Sequence, residues 1–429
     1  MLKQGDKIKI LTGGEATILE LLGSGGQGSV YRVNYGRKEY ALKWYHEAGN
    51  IEFYDNLKHN IEKGTPAPSF LWPLFLTEKD DEGHYGYLME LRNPVYKEFS
   101  DFLLAKTQFS NVTAMIEAGI KICISFRKLH NAGYSYQDLN DGNFFINPLN
   151  GDVLICDNDN VAPSNQNTGI LGKCRYMAPE IVRKDKFPDT QSDRFSLAVI
   201  LFLLFFNNHP LEGEQVASCP CMTEKHEKRF YGTHPIFIYD SMDSSNRPVP
   251  GIHVNVIKLW NQFPDYVRNI FMNQFSQEVL LNANLRITEK EWLEKILLRM
   301  RHDLISCPIC NGEIFAETVK DSFKCPDCNQ IVTRPPVIQS GNYQVVACRD
   351  KKIFQYITNK EEQKLNVCTG IIIESKKTPG LLGLRNQTND IWILTTKKGV
   401  CRPIESGEAA PLLIGNLISF GNGKDVIII

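Results

Sequence analysis

The sequence contains no long apolar run. Its most hydrophobic stretch, LAVILFLLFF from Leu197 to Phe206, is ten residues, about half of the ~20 that a membrane-spanning helix needs. It reads as a buried helix. The opening MLKQGDKIKILTGGE carries no apolar core of signal-peptide length, so no secretory leader is expected. Excess charge is missing too. With 48 basic and 49 acidic side chains the formal net charge is -1, which argues against a polybasic surface for nucleic acid or membrane. A secreted disulfide framework is also absent from the pattern. Of 12 cysteines in 429 residues, four form two close pairs late in the chain, which suits metal ligation in a reducing cytoplasm. What is present, 42% hydrophobic and 23% charged residues, describes a folded soluble chain long enough for two or three domains.

The first 45 or so residues alternate between apolar and polar positions, and IKILTG, ATILELLGS, GSVYRVNYG and KEYALKWYH read as strands separated by glycine-bearing turns. A helix is expected from about Ala48 to Lys63, stopped by Gly64 and Pro66, after which FLWPLFLT and YGYLMEL return to strand character. From about Val112 the pattern becomes helical, beginning with VTAMIEAGIKICISFRKLHNAG and ending with TEKEWLEKILLRM, where Thr288 and Glu291 have capping-box spacing. The expected fold class is α+β: a sheet-rich lobe (about 1–91), a helical lobe (about 92–302), a cysteine-paired module (303–334) and a small all-β domain (335–429).

Several short motifs then fall in a meaningful order. GSGGQGSV sets Gly23, Gly25 and Gly28 at GxGxxG spacing with Val30 two residues on, and glycines let backbone amides approach phosphate oxygens closely. By itself this is a weak signal. On the next strand Tyr40-Ala41-Leu42-Lys43 places a lysine able to reach α and β phosphates, its bland alternative being a lysine lying along a strand edge. Further on, YQDLNDGNFF carries Asp138 and Asn143, and Asp157 follows 14 residues later after the apolar VLIC. A magnesium ion on ATP takes oxygen ligands from separate segments. Asn143 and Asp157 can supply them, while Asp138 orients an attacking hydroxyl and accepts its proton. Turn-capping and loop carboxylates are the plain alternative for each of the three.

Taken together, residues 15–302 resemble a protein kinase domain of the Ser/Thr type. Gly23, Gly25, Gly28 and Val30 match its glycine loop, and Ala41 and Lys43 its third-strand motif. Met89, Glu90 and Leu91 resemble the gatekeeper and the hinge that binds adenine. Asp138, Asn143 and Asp157 match the catalytic and magnesium residues, Met177-Ala178-Pro179-Glu180 the APE element, and Arg286 the arginine that pairs with its glutamate. The resemblance implies a bilobal fold, ATP, Mg2+ or Mn2+ as cofactors, and transfer of the γ-phosphoryl group to a protein hydroxyl. The departures are specific. His-Arg-Asp reads Tyr136-Gln137-Asp138, so no arginine is available to clamp a phosphorylated loop; the lysine two residues after the Asp is Asn140; Asp-Phe-Gly reads Asp157-Asn158-Asp159. They keep open the alternatives of a nucleotide-binding pseudokinase scaffold and of a small-molecule phosphotransferase. For the glutamate that should pair with Lys43, Glu52 is preferred over Glu62, which lies almost at the Gly64 stop.

Cys307-Pro-Ile-Cys310 and Cys325-Pro-Asp-Cys328, 14 residues apart, have the spacing of a closed tetrahedral zinc site in a module too short to fold on an apolar core. A redox reading accounts for one pair only. Cys219-Pro-Cys221 with His226 reads as a solvent-facing loop. The tail, with Gly383-Leu384-Arg385-Asn386, Gly415-Asn416 and Phe420-Gly421, somewhat resembles a forkhead-associated β-sandwich, for which docking is the expected role. The whole layout resembles bacterial stress-linked kinases of tellurite-resistance-like systems. That likeness implies a PP2C-type phosphatase and a von Willebrand A-type domain protein as partners.

Overall fold

In the computed structural model, residues 2–48, 51–164, 166 and 172–429 are described. The chain divides into two compact units, Met1–Asn261 with Asp265–Leu293, and Gln262–Pro264 with Glu294–Ile429.

The first unit opens with an antiparallel sheet built from β1 (Lys7–Lys9), β2 (Glu15–Ser24), β3 (Gly28–Tyr35), β4 (Lys38–Tyr45), β5 (Phe75–Leu76) and β6 (Gly86–Glu90), in the order β1-β2-β3-β4-β6-β5. Because strand side chains alternate faces, β4 and β6 serve two cores. Leu42, Trp44 and Leu88 pack with Ile18, Tyr31 and Val33 on one face. Ala41, Tyr45, Tyr87 and Met89 pack with Leu57 of helix α1 (Ile51–Lys63) and with Cys156 on the other. Lys43 therefore points to the α1 side. Helix α1 stops at Gly64, whose φ of +76° suits glycine; of its expected N-terminal turn, Gly49 and Asn50 lie outside the described residues. The stretch FLWPLFLT forms less strand than its composition suggests. Only Phe75 and Leu76 join the sheet, because Pro73 has no N–H for a ladder, and Leu71 instead donates its N–H to the Ile155 carbonyl at 2.8 Å.

The helical lobe carries α2 (Phe99–Leu103), α3 (Val112–Asn131), α4 (Pro179–Val182) and α5 (Thr190–Phe206). Asn111 caps α3 through a side-chain oxygen that accepts the Ala114 N–H at 2.7 Å. Asp189 and Ser192 form a reciprocal capping box on α5, whose residues Leu197–Phe206 are all buried. No helix among the described residues is long and apolar enough to cross a membrane.

Small strands position the loops between these helices. After β7 (Lys97–Glu98), β8 (Tyr134–Ser135) pairs with β11 (Ala162–Pro163), and β9 (Phe144–Ile146) pairs antiparallel with β10 (Val153–Ile155). That hairpin register places Phe144 opposite Ile155, so the residues just outside it, Asn143 and Cys156-Asp157, emerge at one end.

In the second unit two hairpins, Leu304–Ser306 with Glu313–Phe315 and Ser322–Lys324 with Ile331–Thr333, each present a cysteine pair. The remainder forms a six-stranded and a four-stranded sheet, with a short helix at Gln355–Thr358. Buried Trp392 meets Phe420 edge to face, and the Asn386 amide donates to the carbonyls of Asp390 and Ile404.

Candidate active site and metal centre

The loop from Tyr136 to Asn143 hangs from helix α5. Asp193 accepts the backbone N–H of Tyr136 at 2.6 Å and that of Gln137 at 3.1 Å. Gln137 adopts φ +72°, an uncommon conformation for a residue with a side chain, and the two carboxylate bonds hold the peptide there. Beneath the loop, His130 sits with Nε2 2.9 Å from Asp193 and Nδ1 3.0 Å from Glu289, which also receives Arg194 at 2.9 Å. Burial disfavours the imidazolium, but the hydrogen bonds to Asp193 and Glu289 outweigh it and raise the His130 pKa to about 9. A raised folded-state value stabilises the protein fully below the unfolded value and loses that stability as pH climbs through the folded one. The shift is worth on the order of 3 kcal/mol. The melting temperature of wild type should therefore exceed that of His130→Gln most below about pH 6.5 and converge on it through about pH 9. A pH-independent gap in thermal scans would show that the imidazole is not charged there.

Asn143 is buried, and its side-chain oxygen accepts the Asn140 N–H at 2.7 Å. Its carbonyl accepts the Cys156 N–H at 2.9 Å, which ties it to the residue before Asp157. The Tyr136 hydroxyl donates to the Cys156 carbonyl. Asp157 itself has φ +55°. The Asp138 carboxyl is pushed up by burial, an effect that Asn140 and Lys173 offset and neighbouring Asp157 reinforces. Asp138, Asn143 and Asp157 are thus gathered at one place.

Across from them, Lys43 approaches Asp159 at 2.8 and 3.1 Å and Asp157 at 3.2 Å. Asp159 is the firmer partner, since its side chain is 0% exposed against 44% for Asp157. The Tyr45 hydroxyl donates to Asp159 at 2.6 Å and that of Tyr87 at 3.3 Å. Burial, followed by the Asp159 charge, drives both phenols far above their usual range, so they remain donors. Burial alone would lower the Lys43 pKa, but Asp159 and then Asp157 hold it above the ordinary lysine range.

This arrangement corrects one expectation. Glu52 does not meet Lys43; it and Glu62 are exposed on α1, whose buried residues are Leu57 and Asn60. The side-chain amides of Asn56 and Asn60 instead donate to the Val161 carbonyl at 2.8 and 2.7 Å. Asn158, standing where an aromatic was expected, is buried and donates to the carbonyls of Leu71 and Ile155 at 2.9 and 2.8 Å. Asp159 escaped the sequence reading because its partners Tyr87, Tyr45 and Lys43 lie 72, 114 and 116 residues away. The one available signal was an acidic residue where a glycine was expected.

Val30, Ala41, Met89 and Leu91 lie in one apolar cluster, joined by Phe145 and Leu154, which the sequence reading missed. Glu90 is exposed and pairs with Lys38 at 2.7 Å. Within the loop Gly23–Gly28, a Cβ at Gly23 would meet nothing within 4 Å and one at Gly25 only Gly28 O, at 4.0 Å, whereas at Gly28 it would lie 2.5 Å from the Trp44 carbonyl oxygen. Gly28 is therefore required by close strand packing. Glu180, expected to be the glutamate of an APE element, receives Arg286 through two bonds of 2.7 Å.

In the second unit the four sulfurs of Cys307, Cys310, Cys325 and Cys328 lie within 4.8 Å of one another, the only such group of three or more metal-binding side chains among the described residues. Cys307 and Cys328 are 3.9 Å apart, and Cys310 and Cys325 3.6 Å. A tetrahedron with bonds of ~2.3 Å to sulfur has edges of ~3.8 Å, so the set can hold a metal ion, and no disulfide joins it. Each knuckle turns through an asparagine of positive φ, Asn311 (+62°) and Asn329 (+60°), whose N–H returns to the first cysteine's carbonyl at 2.9 and 3.0 Å.

Among known families, the model described as a protein kinase domain matches residues 80–248. The matched span includes Met89, Asp138, Asn143, Asp157 and Glu180; the glycine loop and Lys43 lie before it. No curated protein matches the chain.

Proposed function

We propose that the chain is a Ser/Thr protein kinase that transfers the γ-phosphoryl group of ATP to a protein hydroxyl. The observation that supports this most directly is the meeting of Asp138, Asn143 and Asp157 opposite a buried Lys43 held by Asp159. In this reading Val30, Ala41, Met89, Leu91, Phe145 and Leu154 hold adenine, with the backbone of Glu90 and Leu91 as hinge. Gly23 and Gly25 leave room for phosphates. Lys43 grips the α and β phosphates, and Asp159 keeps it charged and aimed. Asn143 and Asp157 would hold magnesium or manganese, which neutralises phosphate charge when bound. Asp138 orients the incoming hydroxyl and takes its proton. Cys307, Cys310, Cys325 and Cys328 hold a structural zinc ion. The free thiols suit the cytoplasm, and the tail serves docking, with a PP2C-type phosphatase and a von Willebrand A-type protein as candidate partners in a bacterial stress pathway.

The 3.2 Å contact of Lys43 with Asp157 favours one rival, a nucleotide-binding pseudokinase whose metal carboxylate is partly occupied. Incubation with γ-labelled ATP and magnesium, with calorimetry alongside, separates the two. The kinase reading expects label on serine or threonine for wild type and its loss in Asp138→Ala, with nucleotide affinity nearly unchanged. Binding without transfer would establish the scaffold, and absence of binding would defeat both.

A further inference from the structure

The catalytic loop lacks the lysine expected two residues after Asp138, and Asn140 stands there. The positive charge is nevertheless close by. The side-chain oxygen of Asn140 accepts a hydrogen bond from Lys173 Nζ at 2.9 Å, while its amide donates to an Asp138 carboxylate oxygen at 3.1 Å. Asn140 thus bridges the ammonium and the base. The backbone N–H of Lys173 also donates to the Asp138 carboxylate. Two glycines permit this approach. Gly172, at φ +85°, brings its chain so near that a Cβ would lie 3.0 Å from Asp138 Oδ1, and a Cβ on Gly142 would lie 3.1 Å from Asn140 Oδ1 and 3.7 Å from Lys173 Nζ. Lys173 remains exposed, so its ammonium is not committed to a buried ion pair and is free to meet an incoming anion.

Resting on the kinase reading, we propose that Lys173 is the missing cation: its ammonium, steered by Asn140, sits against the γ-phosphoryl group of ATP. In the transfer step the substrate hydroxyl oxygen forms a bond to the γ phosphorus and its proton passes to Asp138. The bond to the β–γ bridging oxygen breaks, and ADP leaves with that electron pair. Lys173 stays protonated throughout and offsets charge on the transferring oxygens. The charge belongs to the segment that runs from Gly172 to the Arg286-clamped Glu180 and not to the catalytic loop. Seating of that segment therefore delivers both the contact to the base and the cation, with no phosphate needed to organise it.

The test uses the full chain with three variants: Lys173→Met, Lys173→Arg, and the exchange Asn140→Lys with Lys173→Thr. Calorimetry with Mg-ATP and Mg-ADP gives a readout that needs no turnover. Lys173→Met is expected to weaken Mg-ATP about tenfold relative to Mg-ADP and to lower kcat on the order of 100-fold with KM for ATP changed little. Lys173→Arg should keep most of the ATP preference, and the exchange should recover kcat to within about tenfold of wild type. An unchanged ATP-to-ADP preference in Lys173→Met would overturn the proposal, whatever the turnover. Wild type that binds ATP without transferring label would defeat the kinase reading alone, and a lost ATP preference in Lys173→Met would then still place the ammonium on the γ-phosphate.

Discussion

Asp159→Asn is expected to destabilise the first unit by about 3 kcal/mol and to reduce nucleotide turnover severely. Removing one member of a buried ion pair leaves the other charge without compensation, at a cost of roughly 3–5 kcal/mol, and the lower end applies because Asp157 stays 3.2 Å from Lys43. The hydroxyls of Tyr45 and Tyr87 would lose their shared carboxylate as well. Lys43 would then draw on Asp157, the carboxylate that the proposed kinase function assigns to metal, so the variant should lose activity even where it remains folded. Glu52→Gln, on an exposed side chain, should shift stability by no more than about 0.5 kcal/mol and leave turnover intact. Thermal melts and labelled-ATP assays on both proteins decide the matter. A crippled Glu52→Gln beside a normal Asp159→Asn would return the lysine's partner to helix α1.

Metal removal should have the second large effect. Structural zinc contributes an apparent ~10–16 kcal/mol in small cysteine and histidine modules, more than hairpins of three residues per strand can supply. Elemental analysis is expected to find about one zinc per chain. Chelation or Cys310→Ser should abolish amide-exchange protection across Cys307–Cys328. The loss should spread to Val337 and Val346, which share a core with Ile305, Ile314, Phe323 and Val332. Calorimetric ATP binding by the first unit should persist. Full protection after complete metal loss, or recovery of disulfides in place of metal, would remove zinc from the account.

What could be read from the sequence was what is written locally. Lys43 on an alternating strand, the Asp138–Asn143 spacing, and two CxxC pairs each declare themselves within ten residues. The Thr288–Glu291 capping box does so within four, and it forms as spaced, with bonds of 3.0 and 3.2 Å. The match over residues 80–248 supports the kinase reading of this region. Less legible were substitutions of partner across distance. An asparagine for lysine at 140 reads as a lost charge until Lys173 is seen against it. An aspartate for glycine at 159 reads as a lost hinge until two tyrosines and a lysine are seen converging from β4 and β6. Hydrophobic alternation predicts that these strands are buried, but it carries no information on which polar side chains meet between them. For the same reason Pro73 shortened a strand that composition alone had lengthened.

The clasp of Asn56 and Asn60 on the Val161 carbonyl has a consequence for the conditions under which helix α1 stays seated. Where a lysine–glutamate latch couples a helix to the nucleotide site, ionic strength loosens it, because the attraction between partly exposed charges decays over a Debye length of ~8 Å at physiological salt. Two carboxamides on one carbonyl carry no net charge, and neither takes up nor releases a proton in the range where proteins stay folded. Helix α1 should accordingly keep its grip on the loop after Asp157 through swings of potassium or acidity that would slacken an ionic latch, which leaves Lys43 and Asp159, sealed from solvent, as the charged pair that must be protected.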